Sequence, residues 1–148
     1  MKKLVCIISL MMVSIHFALA QTHDEVKELV KQTRVLVEQN ATEAFKTINK
    51  GGYKTNPYVF VLDTNLIIVA HGASPELVGT SRTGFKDSNG KDYVKIMRTR
   101  ALADGFGWVN YMHINPETGK DTKKLSYVEL VTGSNGRNYI VGSGRYAK

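Results

Sequence analysis

Between Asp104 and Val128 the chain gathers Trp108, Tyr111, His113, Lys123, Lys124 and Tyr127. They sit on two runs with strand character, Gly107–Met112 and Leu125–Leu130, either side of the turn Pro116-Glu117-Thr118-Gly119. Rings, a cation and hydroxyls on paired strands can form a pocket for a small organic anion. Each shielded hydrogen bond to a charged group would contribute roughly 1.5–3 kcal/mol there. The same residues also serve as ordinary strand filler, because aromatics favour strands and lysines favour water.

Strand alternation sorts these side chains onto two faces. Gly107, Val109 and Tyr111 share one face, opposite Trp108, Asn110 and Met112. On the next strand Lys124, Ser126 and Val128 share a face, opposite Leu125, Tyr127 and Glu129. A lysine suits a helix-covered face poorly unless it is paired. Lys124 and Ser126 are therefore expected on the loop-covered face, with Tyr111 as cross-strand neighbour and His71 approaching from the end of another strand. The competing reading makes Lys120, Lys123 and Lys124 solvated turn residues, and spacing alone does not separate the two.

Other chemistries find less support. Gly142-Ser143-Gly144 follows a strand, but no helix follows it to complete a phosphate-binding loop. Asp87-Ser88-Asn89-Gly90-Lys91-Asp92 has its glycine two positions early for a calcium loop and no closing glutamate. His71 and His113 have no partner at zinc-ligand spacing, and His23 falls at the start of a helix. Neither a serine elbow nor paired carboxylates on strands are present. No enzyme activity, metal or cofactor is expected. As a base for a hydrolase or isomerase only His71 would offer itself, with an ordinary pKa of about 6.5.

The elements that must position these residues start with an address. Met1-Lys2-Lys3, an uncharged apolar run from Leu4 to Phe17 and Ala18-Leu19-Ala20 have the layout of a secretory signal peptide cleaved after Ala20. The run is about 14 residues, short of the roughly 20 that span a bilayer. An uncleaved anchor is the structural alternative. Cys6 lies too early, behind bulky Val5, for a lipoprotein site.

Cleavage would remove that lone cysteine, and an exported chain without disulfides suits a bacterial periplasm. The remaining single domain, 21–148, has about 130 residues and can bury roughly two-thirds of its unfolded surface. The formal charge of +7 loses the leader's two lysines, and what remains is spread along the chain. Nucleic-acid binders concentrate such charge in a stripe, so no nucleic-acid partner is expected.

Thr22-x-x-Glu25 fits a capping box. Beyond it Val26, Leu29/Val30, Thr33, Val37, Ala41, Ala44/Phe45 and Ile48 predict one helix of about 28 residues ending at Gly51-Gly52. Its length makes it a candidate surface for a homodimer. Strands are predicted at Tyr58–Leu62, Leu66–Ala70, Gly107–Met112, Leu125–Val131 and Tyr139–Gly142, with helices after Ser74-Pro75 and over Tyr93–Ala103. Short turns within each strand group require antiparallel pairing. The fold class is therefore α+β, a long N-terminal helix on a five-stranded antiparallel sheet.

Tyr58-Val-Phe-Val-Leu-Asp63, Ile68-Val-Ala-His71-Gly72 and Pro75-Glu-Leu-Val-Gly79 resemble the first half of a single Cache domain. Lys86-Asp87-x-Asn89-Gly90-Lys91, Gly107-Trp108-Val109-x-Tyr111, Lys124-Leu-Ser-Tyr127-Val128 and Ile140-Val-Gly-Ser-Gly144-x-Tyr146 resemble the second half. The resemblance runs from the long helix to the C-terminus. It implies an extracytoplasmic PAS-like sensor fold, of the kind spliced into chemoreceptors and histidine kinases, that commonly binds acetate, propionate, lactate or pyruvate. Positions matching the family's motifs on the pocket face are His71, Tyr111 and Lys124, joined on that face by Ser126, with Trp108 and Tyr127 structural. A receptor would continue into a membrane helix and a signalling module. The expectation here is a standalone periplasmic or secreted binding protein for a C2–C4 carboxylate, acting through a membrane-bound signalling partner. The alternative is an interaction or dimerisation module with a closed or vestigial pocket.

Overall fold

Thr22 and Glu25 form the expected capping box. The Thr22 side chain accepts from the Glu25 amide at 3.2 Å, and the Glu25 carboxylate accepts from the Thr22 amide at 2.8 Å. The computed structural model describes residues 22–52 and 57–147, so the expected signal peptide and its expected cleavage site, with Cys6 and His16, lie outside the described residues. Helix α1 (His23–Thr47) continues into a π turn, Ile48–Gly52, in which Gly51 takes the left-handed conformation at φ 93°. Val26, Val30, Thr33, Val37, Ala41 and Ala44 form the buried stripe that the spacing predicts.

The helix is broken once, where periodicity alone predicts one continuous helix. Asn40 has φ −155° and ψ 91°, which breaks the ladder. Its carboxamide oxygen accepts from the Glu43 amide at 3.1 Å, so it acts as an N-cap for a second segment. The freed Ala41 amide donates to the Ser134 hydroxyl at 3.0 Å, and the Ser134 amide donates to the Val37 carbonyl at 3.2 Å. A hairpin tip thus fills the break and satisfies the backbone groups it exposes.

The five strands are β1 (Val59–Asp63), β2 (Ile68–His71), β3 (Phe106–Ile114), β4 (Asp121–Thr132) and β5 (Asn138–Tyr146). All neighbours run antiparallel in the order β2-β1-β5-β4-β3, which places the last strand in the middle. The last three strands are longer than the sequence suggests. β4 begins at Asp121 rather than Leu125, and β5 runs on through Gly142-Ser143-Gly144 to Tyr146. The glycines that resemble a loop are strand residues, paired with Val128 and Ser126 on β4.

One face of the sheet packs on α1 through Val59, Val61, Ala70, Tyr127, Val131, Tyr139 and Val141. The other is covered by the loops and by α2 (Tyr93–Asp104), whose Tyr93, Val94, Met97 and Ala101 meet Phe60, Leu62, Ile68, Val109 and Val128. Each fully buried Val, Leu or Ile contributes roughly 1.5–3 kcal/mol, so both faces supply core. The exposed edge of β3 is blocked by side chains. Asp87 accepts from the Met112 amide at 2.9 Å, while Lys91 and Arg100 donate to the carbonyls of Asn110 and Trp108. Occupying an edge's free amides and carbonyls keeps other chains from adding to the sheet.

Candidate functional site

The strand register decides between pocket and turn for the lysines. Lys124 is directly paired with Tyr111 on β3 and with Tyr146 on β5, inside the sheet. Lys120 and Lys123 are exposed, whereas Lys124 is 1% exposed. Among the described residues its Nζ has no hydrogen-bond partner. Aromatic rings surround it instead: the centroids of Tyr58, Tyr146 and Phe60 lie 3.8, 4.9 and 5.8 Å from Nζ. Desolvation holds the Lys124 amine well below the ordinary lysine pKa. Cation–π contact can return about 2 kcal/mol to a desolvated ammonium. Moving an ammonium out of water costs several kcal/mol, so the rings offset only part of the burial.

Glycines at the centre of β5 make room for this arrangement. A Cβ on Gly142 would lie 2.3 Å from the Phe60 ring, and one on Gly144 would lie 2.1 Å from the Ser126 hydroxyl. Ser126 is fully buried and shares a 2.9 Å hydrogen bond with the Tyr111 hydroxyl. The Tyr111 ring stacks on Tyr93 of α2 at 4.0 Å and 6°. Tyr58 and Tyr146 bring their hydroxyls to 3.3 Å, and Tyr146 also donates to the Ile114 carbonyl at 3.1 Å. Burial raises the pKa of all four tyrosines, to about 12 for Tyr93, and keeps their hydroxyls protonated.

Above this floor lies a cavity of about 240 Å³. Its polar wall includes Tyr58, Tyr111, His71, His113 and Arg82, and its apolar wall includes Leu62, Ile68, Leu77, Val94 and Met97. Among the described residues no carboxylate lines it. The Nδ1 of His71 accepts from the Ser74 amide at 2.9 Å, which leaves its proton on Nε2. Desolvation, followed by the nearby Lys124, lowers His71 to about 3 and His113 to about 4, so both rings are neutral at pH 7.

Of the four residues singled out from sequence, Tyr111 and His71 line the cavity. Lys124 and Ser126 lie next to it: Ser126 is bonded to Tyr111, and Lys124 is seated on the ring of Tyr58, which is itself part of the cavity wall. Trp108 and Tyr127 pack on the helix-covered face, as alternation requires. Sequence reasoning missed Tyr58, Phe60, Tyr146, Tyr93 and Arg82, and it gathered His113 with the candidate residues without assigning it to the pocket face. Tyr146 was hidden because Gly142-Ser-Gly144 suggested that the strand had ended. Tyr58 and Phe60 alternate in the first strand, a signal that could have placed both on the Lys124 face. Among the described residues no three His, Cys, Asp or Glu side chains converge as metal ligands.

An antiparallel sheet with one face under a long helix and a walled pocket under loops on the other is the architecture of a PAS-like sensor domain. A Cache domain profile matches residues 10–148, and the chain belongs to the Cache domain family. Among solved structures it is similar to a periplasmic sensor domain of a chemotaxis protein, at 26% identity and TM-score 0.73, over 84% of this chain and 94% of that one. A Cache chemosensory domain described for its recognition of carboxylic acids is 25% identical with TM-score 0.71, covering 86% and 100% of the two chains. A methyl-accepting chemotaxis protein from Vibrio parahaemolyticus shares the fold, with TM-score 0.68 and 20% identity over 83% and 86%.

Proposed function

We propose that this protein is an extracytoplasmic sensor-type binding protein for a C2–C4 carboxylate such as acetate, propionate, lactate or pyruvate. The observation that carries the reading is Lys124: a buried base that, among the described residues, has no hydrogen-bond partner and lies beside a cavity lined by no carboxylate. A ligand carboxylate would supply the missing partner, and the Lys124 chain would swing off the Tyr58 ring to meet it. Tyr111, with Ser126 behind it, and the Nε2–H of His71 would donate the remaining hydrogen bonds. The apolar wall would hold a short carbon chain. Carboxylic acid recognition by a Cache domain of the same architecture supports this ligand class. The role is binding rather than catalysis, with the bound state read by a membrane partner.

A thermal-shift panel of acetate, propionate, lactate and pyruvate tests the reading. At least one acid should raise the melting temperature of the wild type and leave Lys124→Met unmoved. A panel that moves neither protein would exclude the carboxylate.

The alternative of an interaction module draws on Val35 and Leu36, exposed at 47% and 38% on α1. In that case light scattering would show a dimer, broken by Leu36→Glu, while the acid panel stays flat.

A further inference from the structure

The floor of the pocket holds a buried base that no acidic side chain among the described residues offsets. Among the described residues no group hydrogen-bonds Lys124 Nζ, and the side chain is closed to bulk solvent. From each surrounding element it meets neutral groups. Tyr58 leads into β1, His71 ends β2, Tyr111 and His113 belong to β3, and Tyr146 belongs to β5. Tyr93 of α2 lies behind Tyr111. Among the described residues the charged side chain lining the cavity is Arg82, itself a cation. The acids of the neighbouring segments, Asp87, Glu117 and Asp121, influence Tyr93, Tyr146 and His113 but leave Lys124 without a compensating charge.

We propose that the pocket takes its anion together with one proton. Lys124 is an uncharged amine in the empty site and becomes an ammonium as the carboxylate arrives. The proton comes from solvent and ends on Nζ, the carboxylate keeps its charge, and the buried site gains a neutral ion pair. Rings that tolerate an amine would solvate an isolated ammonium poorly, whereas an anion in contact makes the charged form the favourable one. This inference rests on the carboxylate reading above and adds that ligand affinity responds to pH. A sensor of this kind reports acid concentration and acidity jointly, because the same ligand level occupies more sites as pH falls.

Two measurements on the whole exported chain separate the parts. A nuclear magnetic resonance titration of the lysine ¹³Cε signals in the empty protein, with Lys124→Met for assignment, should show one lysine in the amine form at pH 8. A Lys124 signal that titrates with the surface lysines overturns the proposal. Calorimetry with propionate at pH 8 in phosphate, HEPES and Tris, whose ionisation heats differ, should give uptake of about one proton per propionate, with affinity falling about tenfold per pH unit upward. Saturable binding with no proton uptake would overturn the coupling and leave the carboxylate reading standing. A low-titrating Lys124 with no binding heat from propionate or the other three acids would refute the carboxylate reading, and the coupling with it.

Discussion

At the scale of single residues, Lys124 is a cost to stability that the proposed ligand would offset. An unsatisfied buried polar group costs roughly 1–3 kcal/mol, and more when charged. Lys124→Met keeps most of the volume, with a flexible thioether that fills irregular gaps. The substitution should therefore stabilise the empty protein by roughly 1–3 kcal/mol in urea unfolding, while removing carboxylate binding. A destabilised Lys124→Met would mean that the rings hold the cation favourably. The histidines set a pH dependence of stability. His71 at about 3 and His113 at about 4 are neutral in the fold, whereas in the unfolded chain they take up protons near pH 6.5. Between those values the unfolded state binds more protons, so their contribution is intact above pH 6.5 and is lost as pH falls toward 4. Melting temperatures from pH 8 to pH 4 should drop below pH 6.5, with a shallower drop in His71→Gln/His113→Gln. An equally steep drop in the double variant would assign acid sensitivity to other groups.

At the scale of elements, β5 matters most. Its Gly142 and Gly144 give up side chains so that Phe60 and Ser126 can occupy the pocket face. A Cβ at Gly144 would also approach the Leu125 carbonyl to 2.8 Å, a backbone atom that cannot rotate away. Gly144→Ala should therefore cost roughly 1–3 kcal/mol of unfolding free energy, the range for overpacking. It should also displace Ser126 from Tyr111 and weaken ligand binding. An unchanged urea midpoint would contradict the close packing described here. These elements also show what could be read in advance. Alternation placed Tyr111, Lys124 and Ser126 on one face, and the paired register agrees. The break at Asn40 was invisible, because it depends on Ser134 arriving from a hairpin 93 residues away. Likewise nothing local marks Gly142-Ser143-Gly144 as strand. Those glycines are favoured by what sits across from them, Phe60 and Ser126, and not by their own propensity.

At the scale of the whole molecule, the order of strands explains why one site forms. The last strand enters the middle of the sheet, and so brings Tyr146 beside Lys124 while Tyr58 approaches from the other neighbour. The helix-plus-antiparallel-sheet architecture was legible because it follows from periodicity, turn lengths and pairing rules. The aromatic floor was legible only in part, since it draws one residue or two from each of several distant segments. Val26, Val30 and Val37 of α1 seal the opposite face of the same sheet, so a shift of β4 or β5 on ligand entry would be felt by the helix.

Titration calorimetry of wild type and Lys124→Met with acetate, propionate, lactate and pyruvate tests the central claim most directly. The account predicts saturable one-to-one binding of at least one acid to the wild type and none to Lys124→Met, with the variant folded. Equal binding to both proteins, or none to the wild type, would contradict it.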